Sequence, residues 1–165
     1  MGTNELRWVQ PSWKQREYEL RDGETTLARL KFRGTWKESV SIVLDSEELT
    51  IGSGGFWRTR YTILRGDREI AVYNGEGGRK QLVFMTGRRF SWKTRSIWSS
   101  AYSFVAEDNE VLMTFRNKGR WLRAECLVEL APSSYKYPEL RLLMAFGWFL
   151  KLKQSQAAST AAAAS

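Results

Sequence analysis

Between residues 58 and 95 the chain carries ten basic side chains: Arg58, Arg60, Arg65, Arg68, Arg79, Lys80, Arg88, Arg89, Lys93 and Arg95. Only Asp67, Glu69 and Glu76 oppose them there. Cations at that density can hold an anion. On a strand, residues two apart share a face. Arg58 with Arg60, and Lys93 with Arg95, would each present two cations side by side, which suits a phosphate group. The candidate binding residues for an anionic headgroup are therefore Arg58, Arg60, Arg88, Arg89, Lys93 and Arg95. Phe56, Trp57, Trp92 and Trp98 lie near them in sequence. The same run also fits a solvated exterior that deters edge pairing.

Catalytic chemistry finds little here. There is no histidine, which removes histidine-based triads, histidine metal sites and the commonest general base. The single cysteine, Cys126, shares its strand face with Leu122, Ala124, Val128 and Leu130. A reactive thiol needs an exposed electropositive setting, so Cys126 reads as a buried structural thiol. Gly52-Ser53-Gly54 is not a nucleophile elbow, and no base is at hand for Ser53. In Gly52–Trp57 and Gly75–Lys80 a Trp and a Lys stand where a phosphate-binding glycine motif needs its last Gly. Both read as turns. The expectation is a protein that is not an enzyme and holds no cofactor and no metal.

The elements that must position the cations are short strands. Leu6–Gln10, Arg16–Leu20, Thr26–Phe32, Ser39–Leu44, Glu48–Gly52, Trp57–Leu64, Glu69–Tyr73, Lys80–Met85, Arg89–Lys93, Trp98–Ala106, Glu110–Arg116 and Leu122–Leu130 all carry strand signals. Asp22-Gly23, Asp45-Ser46, Gly66-Asp67, Thr86-Gly87 and Asp108-Asn109 punctuate them as tight turns. About a dozen short strands with turns every eight to twelve residues signal an all-β barrel or sandwich.

One stretch breaks the pattern. Pro138–Leu152 reads as a helix, and from Leu142 to Leu150 it holds no charge. An amphipathic helix would interrupt that run, so this one must be buried on all sides. A closed barrel of about a dozen strands is too wide for its own side chains to fill, and the helix is the candidate filling. Residues 1–153 are expected to form one domain, a closed antiparallel barrel around helix 138–152. A barrel with an external helix, as in lipocalins, is the runner-up. The Ala- and Ser-rich tail 154–165 has no core-forming residues and is expected to be disordered.

The 165 residues carry a formal charge of +8, and all of the excess lies after residue 50. Such a chain attracts anionic lipid, nucleic acid or acidic protein surfaces. The apolar run falls well short of the ~20 residues of a membrane span. The amino-terminal residues show no apolar leader. A cytoplasmic monomer, peripheral to the inner membrane face, is the expectation.

A barrel of short antiparallel strands followed by an apolar carboxy-terminal helix resembles the tubby C-terminal-like superfamily, which includes the phospholipid scramblases and the LURP-one-related proteins. The likeness spans about Trp8 to Lys153. It rests on Leu142–Leu150, on Gly87–Lys93, on Ala101–Phe104 and on the strand rhythm. The chain looks most like a small bacterial member. The resemblance implies a helix threading the barrel. In tubby domains basic exterior side chains bind phosphoinositides, but no stretch here aligns with that motif. The scramblase cysteine cluster, Pro-rich arm and acidic calcium loop are also missing. Two functions follow as expectations. One is a non-enzymatic module that recognises anionic phospholipid headgroups through a basic barrel face. The alternative is a structural or protein-interaction domain whose charge serves solubility only.

Overall fold

A computed structural model describes residues 5–34, 38–54, 60–96, 98, 100–118 and 125–164. These residues form twelve strands and one long helix: β1 (Leu6–Val9), β2 (Glu17–Asp22), β3 (Thr25–Arg33), β4 (Ser39–Leu44), β5 (Glu47–Gly54), β6 (Arg60–Arg65), β7 (Arg68–Asn74), β8 (Gln81–Phe84), β9 (Arg89–Ser96), β10 (Ala101–Val105), β11 (Val111–Lys118), β12 (Glu125–Leu130) and α1 (Leu140–Ala164). Each strand pairs antiparallel with its sequence neighbour, and β1 pairs with β12, so the barrel closes.

Alternation sorts the side chains. On β3, Ala28, Leu30 and Phe32 are buried while Arg29 and Arg33 are exposed. Charged residues occupy outward positions on many strands, among them Glu19, Arg29, Glu48, Arg60, Lys93 and Arg116. A barrel that crosses a bilayer needs an apolar exterior band, and this exterior is the reverse.

The helix fills the barrel. Leu142, Leu143, Met144, Ala145, Phe146, Trp148, Phe149 and Leu150 are all buried. Their partners come from around the wall. Trp8 of β1 stacks on Trp148 at 6.3 Å and donates its Nε1–H to the Met144 carbonyl at 3.2 Å. Tyr18 of β2 meets Trp148, Phe32 of β3 meets Phe149, and Tyr73 of β7 meets Phe146. On β11, Phe115 presses against Gly147. A Cβ there would lie 2.3 Å from the ring Cζ. Glycine in a helix costs about 1 kcal/mol relative to alanine, and here that loss makes room for a ring.

The helix departs from its expected bounds at both ends. It begins at Leu140 rather than Pro138, because a 3-10 turn over Pro132–Lys136 carries the chain to it, and Glu139 accepts its first hydrogen bond, from the Leu143 N–H at 2.9 Å. It also runs on to Ala164, so the tail expected to be disordered is helical. Alanine is the best helix former. A seeded helix adds residues without paying nucleation again, which lets this exposed segment continue without a core of its own.

The two barrel ends differ. α1 enters at the end built from the β2–β3, β4–β5, β6–β7, β8–β9 and β10–β11 connections. There Arg88 donates to both Glu139 oxygens at 3.1 and 2.8 Å, and Arg141 pairs with Asp45. α1 leaves at the other end, where Lys153 pairs with Glu38 and Lys151 donates to the Asn117 Oδ1.

Replacing Phe146 or Trp148 by alanine should destabilise the fold by about 3–5 kcal/mol each. Gly147→Ala should also destabilise it, by ~1–3 kcal/mol through overpacking, although propensity alone predicts the opposite sign. Deleting residues 155–165 should change stability little. Urea melts of the four variants measure this, and a stabilised Gly147→Ala protein would show that Phe115 does not press on the helix.

Candidate functional site

The basic residues divide into three neighbourhoods. Arg88 and Arg89 lie at the helix-entry end. Arg88 is committed: its guanidinium chelates Glu139 and sits 5.6 Å from the Tyr137 ring. It fastens the β8–β9 turn to the helix start, where the Glu139 carboxylate also meets the positive end of the helix dipole. Arg88 and Arg89 share a cleft of about 280 Å³ with Ala106, Glu107, Asp108 and Tyr137. Two carboxylates among those walls work against an anionic ligand.

Lys93 and Arg95 form the second neighbourhood. Phe90 and Trp92 point inward and are buried, so alternation sends Lys93 out. Ala101 pairs with Ser96 and Tyr102 with Thr94, which leaves Arg95 as the extra residue of a β-bulge. Bulges bend the strand and re-aim side chains at barrel rims. Both cations are exposed near the helix-exit end. The Trp92 backbone N–H donates to the Lys80 carbonyl at 2.8 Å. That bond brings Arg79 and Lys80, both exposed, alongside Trp92 and Lys93. The sequence placed Arg79 and Lys80 in the basic run but gave no reason to prefer them. The β7–β8–β9 pairing supplies it.

Arg60 is the third. Tyr61 packs its ring on Phe146 and Phe149, so Arg60 points out. Register sets Arg60 level with Asn74, Gln81 and then Ser91. It therefore stands three strand spacings from β9, about 14 Å around the wall. It flanks the Lys93–Arg95 group and does not join it. Arg58 lies outside the described residues.

Ion pairing varies around the wall. On β1–β3, β11 and β12, carboxylates answer four of the seven cations: Glu19 pairs with Arg21 and Arg29, Glu129 with Arg116, and Glu5 with Lys118, while Arg7, Lys31 and Arg33 form no ion pair among the described residues. Arg60, Arg79, Lys80, Arg89, Lys93 and Arg95 form no ion pair among the described residues.

Inside the barrel, Cys126 is buried, as its strand face implied, and its thiol lies 3.5 Å from the Leu127 carbonyl. Burial pushes the thiol up to about 12, against a smaller opposing pull from Lys151. That is the reverse of an activated nucleophile. Lys151 is itself buried, 5.5 Å from the Tyr102 ring, and burial lowers its pKa. Both shifts favour the uncharged form, as a low-dielectric interior requires. Among the described residues no group of three or more Cys, Asp or Glu side chains gathers to hold a metal ion. Among the described residues no helix is long and apolar enough to cross a membrane. No family model, curated protein or solved structure matches the chain.

The Cys126 shift fixes a sign for pH dependence. The folded thiol keeps its proton above its ordinary value of 9.0, up to about 12, while the unfolded thiol loses it. Stability must then fall as pH rises from 9 towards 12. Lys151 works oppositely, because the folded amine releases its proton more readily than the unfolded one. Cys126→Ala should therefore lose less stability than wild type on going from pH 9 to pH 11, by roughly 1 kcal/mol per pH unit. Chemical melts at both pH values check this, and parallel losses would place the thiol in contact with solvent.

Proposed function

We propose that this protein is a non-enzymatic binding module whose basic face takes up anionic phospholipid headgroups. One observation supports the reading above the rest. The cations Arg79, Lys80, Lys93 and Arg95 are exposed, form no ion pair among the described residues, and are brought together by the pairing of β8 with β9. A charge that serves solubility alone does not require four unpaired cations to be gathered in one place. Adjacent cations also match the oxygens of a phosphate, and charge-assisted hydrogen bonds to it are the strong ones.

Arg60 flanks this group and supplies field rather than contact. Arg88 fastens the helix, and Arg89 faces the mixed-charge cleft. Lys93 and Arg95 thus stand as the core of the site, with Arg79 and Lys80 added. The resemblance to the tubby C-terminal-like superfamily agrees with a barrel threaded by an apolar helix, and it raises the expectation of lipid binding by analogy alone.

Flotation with phosphatidylcholine vesicles, with and without phosphatidylserine, tests the reading across a salt series. Wild type should float only with the anionic vesicles, and less as salt rises, because exposed charges are screened beyond ~8 Å at physiological ionic strength. The variant Arg79→Glu/Lys80→Glu/Lys93→Glu/Arg95→Glu should not float, with its melting temperature near wild type. Wild type that ignores anionic vesicles at low salt leaves the solubility reading. Tighter capture of an oligonucleotide in the same buffer makes nucleic acid the partner.

A further inference from the structure

The two exposed tryptophans sit at the same end of the barrel as the unpaired cations, while the exposed Tyr135 and Met85 lie at the other. Trp98, in the β9–β10 connection, is 100% exposed, and Trp13, in the β1–β2 connection, is 84% exposed. Tryptophan is ordinarily well buried, and each ring presents roughly 150–250 Å². Both connections are at the helix-exit end, as is the β7–β8 connection that carries Arg79 and Lys80. Lys14 lies 5.7 Å from the Trp13 ring. The sequence joining β3 to β4, β5 to β6 and β11 to β12 also contains Trp36, Trp57 and Trp121. Those three lie outside the described residues, and nothing below depends on them.

The opposite end has a different composition. Its strand-to-strand connections carry Glu24, Asp45, Asp67, Glu107, Asp108 and Glu110 with Arg88 as their one cation, the segment from β12 to α1 adds Lys136 and Glu139, and none of them holds a tryptophan. The barrel is therefore polarised along its axis, acidic where the helix enters, basic and tryptophan-bearing where it leaves.

Resting on the reading that the cations meet anionic headgroups, we propose that the barrel docks end-on to an anionic membrane, its helix-exit rim against the surface and Trp13 and Trp98 inserted at headgroup level. Tryptophan favours the interface between hydrocarbon and water. Basic residues beside it are drawn to the negative leaflet surface, and the acidic connections then face away. Between residues 154 and 164 the helix carries no charged side chain, so this segment can lie in the headgroup layer without desolvating an ionised side chain.

The spacing of the two rings separates a membrane from a nucleic acid strand. The β1–β2 and β9–β10 connections stand four strand spacings apart around the wall, roughly 19 Å. Two rings that far apart cannot stack neighbouring bases in one groove, as single-strand binders do. They can enter one plane together.

The test uses the full chain and two probes, phosphatidylserine-containing vesicles and soluble inositol hexakisphosphate. Trp13→Ser/Trp98→Ser should bind the vesicles at least about tenfold more weakly, and inositol hexakisphosphate as wild type does. The four-cation reversal should lose both. Trp98→Cys carrying a nitroxide places the rim directly, because Cys126 is buried and leaves the new thiol as the accessible one among the described residues. On vesicles, the label should gain exposure to oxygen and lose exposure to an aqueous nickel chelate. A bound protein whose label stays aqueous, or whose double tryptophan variant floats like wild type, overturns end-on docking and leaves headgroup binding standing. Loss of both probes in wild type defeats headgroup binding itself. Weakened oligonucleotide binding in the tryptophan variant, with flotation intact, makes single-stranded nucleic acid the occupant.

Discussion

The structure depends on the fit between a barrel too wide to fill itself and a helix too apolar to be anywhere else. Twelve strands leave a bore that side chains from the wall do not span. Leu142–Leu150 supplies the missing volume, with every residue but Gly147 among the buried hydrophobics. Gly147 is the keyhole. It lets the Phe115 ring reach the helix backbone, and the neighbouring aromatic rings close round it. Remove the helix and the inward rings of Trp8, Tyr18, Phe32, Tyr61, Tyr73 and Phe115 lose their partner. Remove the barrel and the helix meets water on every side.

That fit explains where charge is allowed. Among the described residues charged side chains stand on the outer wall and at the two ends, with buried Lys151 the exception, kept at the helix-exit end by Asn117 and the Tyr102 ring. At the entry end the charges have structural work: Arg88 with Glu139, and Arg141 with Asp45, fasten the first turn of α1 to the rim. At the exit end Glu38 holds Arg16 and Lys153, but Arg79, Lys80, Lys93 and Arg95 have no such duty. A bulge at Arg95 and a strand pairing at Lys80 bring them together. The same end carries Trp13 and Trp98 in water. Cations that form no ion pair among the described residues thus share one end of the barrel with tryptophans that nothing covers.

The sequence by itself determined the architecture. Period-two alternation and turn residues located the twelve strands, and the uncharged run Leu142–Leu150 demanded a wall on all sides, which a barrel of that size provides. The burial of Cys126 followed from its strand face. What the sequence misjudged was the tail. Composition without apolar residues suggested disorder, whereas alanine needs only a helix already begun to continue it, and α1 reaches Ala164.

The site was only half legible, because side-chain direction along one strand is local while neighbourhood across strands is not. Alternation put Lys93 and Arg95 outward together. It could not tell that Arg60 stands three strands away, that Arg88 is spent on Glu139, or that Arg79 and Lys80 lie beside Lys93. Nor could it show that Trp13 and Trp98, eighty-five residues apart, share one rim. Those relations depend on strand order and on which connections fall at which end. Closure of the barrel decides both, and no spacing within a single segment encodes it.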